Sequence, residues 1–138
     1  MGRSYLLVAP HVISDMDVSR IIRDVTGTGP ELSGPDDMVV RHGAGSSVRI
    51  RRRAGSDFAP DVIQRWEKAL RPGALGDIWE VSYPAAAAPL GDQLTPRLYV
   101  TLVKDRSGGF LCGPDSTEIR FRKSKPLWRS LLGRLLPG

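Results

Sequence analysis

The 138-residue sequence predicts an α+β domain of two layers, an antiparallel-rich sheet with helices on one face. Three observations predict it. Short apolar runs of period two recur along the chain, segments of helical period lie between them, and 15 Gly and 11 Pro punctuate the joints. The elements read β-α-β-β-α-β-α-β-β, then a C-terminal amphipathic helix. The first six match the ferredoxin-like β-α-β-β-α-β order.

Each element has a local reason. Arg3 to Ala9 is a buried strand, because Tyr5 to Ala9 is a short apolar run stopped by Pro10. Ser14 is an N-cap, with Asp15 and Asp17 where the helix dipole favours negative charge. Val18, Ile21, Ile22 and Val25 follow at helical spacing, and Gly27 ends the helix. Gly27 to Asp37 reads as a loop bent at Gly29-Pro30 and Gly34-Pro35. Met38 to Arg41 and Ser47 to Arg53 form a hairpin across His42-Gly43-Ala44-Gly45-Ser46. In its second strand Val48 and Ile50 face one side while Arg49, Arg51 and Arg53 face the other.

Asp57 to Leu70 is the second helix, with Pro60 in its first turn and Val62, Ile63, Trp66 and Leu70 as its apolar stripe. Asp77 to Tyr83 alternates as a strand, and Pro84 to Pro89 is an Ala-rich loop. Thr95-Pro96 reads as an N-cap followed by Pro at the first helical position. The helix then carries Leu98, Tyr99, Leu102 and Val103, although β-branched residues leave 95–107 open to a strand reading. Phe110 to Cys112 and Thr117 to Phe121 pair as a terminal hairpin.

Residues 1–122 read as one domain and 123–138 as a basic amphipathic tail. From Arg120 onward there are six basic residues and no acidic one, so the net charge of +5 belongs to the C-terminal end. Leu127, Trp128, Leu131, Leu132, Leu135 and Leu136 share one helical face, with Arg129 and Arg134 opposite. Such a segment suits a partner groove, an anionic membrane surface or the chain's own sheet. The candidate partner-binding residues are Arg49, Arg51, Arg53, Lys123, Lys125, Trp128, Arg129 and Arg134. Arginine forks match phosphate or carboxylate, while a solvated edge is the plainer reading of the first three.

Reactive constellations are sparse. Cys112, the single cysteine, reads as a small buried hydrophobe, and neither His11 nor His42 is linked to it in sequence. Three Cys and His residues fall short of a four-ligand zinc site. Asp15 with Asp17, and Asp36 with Asp37, are accounted for by a helix start and a turn. The run His42 to Ser47 lacks the spacing and the Lys of a P-loop. The expectation is a chain with no catalytic site, no metal and no cofactor. One cysteine and no bilayer-length apolar run point to a cytoplasmic protein. Sixteen Arg against four Lys fits a GC-rich bacterial genome.

The start Tyr5 to Val8 with Ser14 to Val25, and Ser107-Gly108-Gly109-Phe110-Leu111 before Asp115, resemble small immunity proteins of bacterial polymorphic toxin systems. The resemblance implies a module that binds a cognate toxin and blocks its active site. The basic tail departs from the acidic character of many such proteins. The alternative is peripheral binding to an anionic membrane or, less favoured with 7% aromatic residues, to nucleic acid.

Overall fold

In the first strand, β1 (Arg3–Val8), Tyr5 and Leu7 project to one side and Leu6 and Val8 to the other, and both sides are buried. A strand apolar on both faces needs cover on both. The computed structural model describes residues 2–43, 45–70, 75–104, 109–113 and 118–119. After β1 come α1 (Asp15–Thr26), β2 (Glu31–Gly34), β3 (Asp37–His42), β4 (Ser46–Arg53), α2 (Pro60–Ala69), β5 (Ile78–Tyr83), α3 (Ala88–Tyr99), β6 (Phe110–Cys112) and β7 (Glu118–Ile119). The α+β class and the antiparallel sheet are as the sequence predicts.

The larger core lies under α1 and α3. It joins Leu7, Met38, Val40, Val48, Ile50, Trp79, Val81 and Leu111 of the sheet to Val18, Ile21, Ile22, Leu94 and Leu98 of the helices. A smaller core on the reverse side joins Leu6, Val8, Ile78, Phe110 and Cys112 to Trp66 of α2 and to Leu70 just past its end. The helices therefore do not all share one face. The physical reason is the apolar reverse side of β1, β5 and β6, which α2 seals. Trp66 sits edge-on to Phe58 and Phe110 there, with ring centroids 5.0 and 6.5 Å apart.

Among the described residues seven strands form one sheet in the order β2-β3-β4-β5-β1-β6-β7, with every neighbour antiparallel. The ferredoxin-like order along the chain is interrupted by β2, and the sheet order differs too. β5 lies between β4 and β1, where a split β-α-β arrangement would seat β4 beside β1.

Local chemistry explains the remaining differences. Ser14 caps α1 by accepting the Asp17 N–H, and Gly27 closes the helix at φ 82° with its N–H on the Arg23 carbonyl. The expected loop at 27–37 contains β2. Its Glu-Leu-Ser-Gly sequence has little strand preference, and pairing with β3 makes it a strand, irregular at Ser33. The 95–107 segment is helical over its described part, but the helix begins earlier, at Ala88, and Pro89 takes the first-turn position expected of Pro96. Thr95 is not an N-cap. It is buried, and its hydroxyl donates back to the Gly91 carbonyl at 2.9 Å. Pro96 sits inside α3, and the helix widens into a π turn over Val100–Lys104 just beyond it. β6 and β7 pair as the terminal hairpin predicts. The amphipathic helix expected at 123–138, with Lys123, Lys125, Trp128, Arg129 and Arg134, falls outside the described residues.

Candidate functional site

The arginines of β4 meet the candidate site first. Strand alternation places Arg49, Arg51 and Arg53 on the reverse face of the sheet, beside the part that α2 covers. Each stands against a carboxylate from a neighbouring element. Arg49 makes a two-point pair with Asp37 of β3, at 3.0 and 2.6 Å. Arg51 bonds Glu80 of β5 at 2.9 Å, and Arg53 bonds both Glu80, at 3.1 Å, and Asp57, at 3.0 Å. Arg41 and Glu31 extend the ladder to the edge at 3.0 Å. The Arg49 hydrogen bonds hold the Asp37 carboxyl below its ordinary range, and those of Arg53 do the same for Asp57. The structure brings the three predicted arginines together, within a charge-matched face and not a bare cationic patch.

Arg52, between them in sequence, points to the opposite side. Its guanidinium bonds Asp15 at 2.8 Å and Asp77 at 3.0 Å, reaches Asp36 at 3.3 Å, and lies 4.9 Å from the Trp79 ring centre. It also donates to the Ile13 carbonyl at 3.1 Å, which accepts the Trp79 indole N–H at 3.2 Å. The hydrogen bond with Asp15 pushes the Asp36 carboxyl up, with burial adding to it. This is a structural knot. It ties the segment between β1 and α1 to the ends of β4 and β5. His11 adds a further tie. Its Nε2 lies 2.9 Å from the Leu102 carbonyl oxygen, which can only accept, so Nε2 carries the proton.

The third region is open. α1 covers the sheet as far as β3, and β2 projects beyond it as an edge strand. Leu32 is opposite Met38 in the β2–β3 register, so its side chain emerges on the α1 side. The outer stripe of α1 faces it with Met16, Ser19, Arg20 and Arg23, at positions i, i+3, i+4 and i+7. Together with Asp15 and Met38 they line a groove of about 450 Å³. Met38 is its buried floor, touched by the Ser19 hydroxyl at 3.7 Å from the sulfur. Met16 is 74% exposed and Leu32 73%. With Val12 they are the large hydrophobics that stand exposed among the described residues.

Sequence reasoning missed this groove. One signal was available: Met16 is an apolar residue off the inward stripe of its helix, with Arg20 and Arg23 one and two turns further on. The other wall was hidden, because β2 reads as loop.

Cys112 is fully buried in β6, in the core under α2. Among the described residues no three His, Cys, Asp or Glu side chains gather to hold a metal ion, and no helix is long and apolar enough to cross a membrane. A second, shallower depression near Arg3, Ser47, Arg49 and Ser82 is rimmed by arginines held by Asp92 and Asp37. Compared with protein-family models, with curated proteins and with solved structures, the chain gives no significant match.

Proposed function

We propose that this chain acts by binding another protein, as a non-catalytic module, and that the partner is a toxin domain that it neutralises. The observation that carries the reading is the α1–β2 groove, where two exposed apolar side chains flank a buried Met38 floor beside two arginines. Exposed apolar groups gathered in a concavity, and not scattered singly, mark interaction surfaces. The charge-matched ladder of Arg49, Arg51 and Arg53 adds a polar surface on the reverse side of the sheet. The resemblance of the β1–α1 start and the Gly108-Gly109 segment to immunity proteins supplies the toxin as partner class. A cytoplasmic setting goes with the reading, because a single cysteine suits a reducing compartment.

The test is co-expression with the protein encoded next to this chain in its source genome. The expected result is a one-to-one complex on size-exclusion chromatography and restored growth of cells expressing that neighbour. Co-sedimentation with phosphatidylglycerol vesicles is the control for membrane association. No complex with the neighbour, or a substrate turned over by the purified chain and spared by a single cleft substitution, overturns the proposal.

A further inference from the structure

We infer that the α1–β2 groove receives an acidic, amphipathic helix from the partner protein, laid alongside α1 over the projecting edge of the sheet. The inference rests on the protein-binding reading and adds to it a surface and the chemistry of the occupant.

The argument begins with the layer. α1 and α3 lie over the same face of the sheet, and the sheet continues past α1 to β2. A helix needs about 10 Å of sheet width, and strands are spaced by nearly 5 Å. One further helix beside α1 would cover Leu32 and the Met38 floor, the part of this face that α1 leaves open. Its apolar stripe would bury Met16 and Leu32, which are the most exposed large apolar residues among those described.

Backbone pairing to β2 is a poor alternative. β2 has four residues, is irregular at Ser33, and is bracketed by Pro30 and Pro35. These are the devices by which edge strands resist an added strand. Recognition at this edge therefore runs through side chains, as in helix-in-groove binding.

Charge decides the occupant. Arg20 and Arg23 stand on the α1 wall, and Arg20 is 67% exposed with only a distant contact, 3.8 Å, to Asp17. The Arg23 guanidinium lies against Gly29, at the approach to β2. The one carboxylate of the lining, Asp15, is held by Arg52 at 2.8 Å. The groove is thus apolar at its floor and cationic along one wall, and a segment with Glu or Asp flanking Leu-type residues complements both. The chain's own 123–138 segment is basic and would set cations against Arg20 and Arg23. A second copy docked edge to edge across a two-fold axis would bring the same arginines toward each other.

The experiment uses the full chain as bait for a phage-displayed library of random 16-residue peptides. Four variants accompany it: Met16→Ser, Leu32→Ser, Arg20→Glu with Arg23→Glu, and Arg65→Glu, at an exposed position of α2 on the reverse side of the sheet, as a control. The substituted groove positions are exposed, and matched melting temperatures confirm that folding is kept. The expected result is enrichment of acidic amphipathic sequences whose synthetic peptides lose tenfold or more in affinity on Leu32→Ser and on the double charge reversal, and are unchanged on Arg65→Glu. No enrichment, enrichment of basic sequences, or equal binding to the groove variants overturns the inference. So does a synthetic 123–138 peptide that competes for the groove, or a dimer of the full chain that Leu32→Ser dissociates. If the neighbouring protein binds wild type and groove variants alike, the groove assignment falls and the protein-binding reading stands.

Discussion

One carboxylate oxygen of Asp77, Oδ2, accepts both the Arg52 guanidinium, at 3.0 Å, and the backbone N–H of Ile13, at 2.8 Å. Through that atom a strand arginine and the segment entering α1 share a single anchor. Ile13 is itself fully buried, so the anchor holds a core residue in place. Arg52 then spreads its remaining contacts to Asp15, Asp36 and the Trp79 ring. A planar fork can meet these directions together, and a lysine ammonium cannot.

Arg52→Leu is expected to destabilise the fold by about 2–4 kcal/mol, because it leaves Asp77 and its neighbours partly buried without their cation. Arg52→Lys should recover less than half of that loss. Urea unfolding of the two variants checks this. A Lys variant as stable as wild type would show that charge alone, without the fork, holds the segment.

Gly91→Ala is expected to destabilise by about 1–3 kcal/mol even though Ala favours helices. An added Cβ on this α3 residue would overlap the Tyr83 ring. The ring has little room to withdraw, since its hydroxyl donates to Asp92 at 2.6 Å and Arg3 clamps that same carboxylate. Burial, with the Asp92 hydrogen bond, pushes the Tyr83 phenol up, so the hydroxyl stays protonated and the clamp persists through alkaline pH. Thermal unfolding is the measurement, and a rise in melting temperature for Gly91→Ala would refute the packing argument.

Two adjacent aspartates should respond to acid with opposite sign. The Asp37 carboxyl is held down by Arg49, so its contribution is present above the unfolded carboxylate range and is lost as pH falls through the lower folded value. Asp37→Asn is expected to lower stability at neutral pH by less than about 1 kcal/mol, the deficit vanishing in acid. The Asp36 carboxyl is pushed up by Asp15, so ionising it opposes folding, and the opposition is relieved as pH falls through the raised value. Asp36→Asn is expected to be neutral or stabilising at neutral pH and to lose that advantage in acid. Asn keeps the φ of 58° that this turn requires. Melting temperature against pH for both variants provides the comparison; slopes of equal sign would contradict it.

Cys112 should label with a thiol reagent at least about a hundredfold more slowly in the native protein than in denaturant, because labelling waits for an opening of the core under α2. Stopped-flow or manual labelling with an aromatic disulfide measures the ratio. Labelling at a rate near that of the unfolded chain would mean that the thiol is presented to solvent.

Much of this architecture was legible along the chain. The apolar run Tyr5 to Ala9, the period of Val18, Ile21 and Ile22, the cap at Ser14 and the Gly-rich hairpin before Ser47 are local signals, and the structure carries each where it was expected. Arg49, Arg51 and Arg53 were legible as one face because strand alternation needs no tertiary information. Their pairing with Asp37, Glu80 and Asp57 was not, since it depends on which strands become neighbours.

Periodicity, capping and turn chemistry act within a few residues, and they settled that this chain is an α+β domain with an antiparallel sheet. Long-range pairing decided the rest. It seated β5 between β4 and β1, sent α2 to the reverse face, and made a strand of Glu31–Gly34. That last pairing created the edge on which Leu32 faces Met16 and Arg23. A contact between residues distant in the chain is set by the packing of whole layers, and no local preference encodes it.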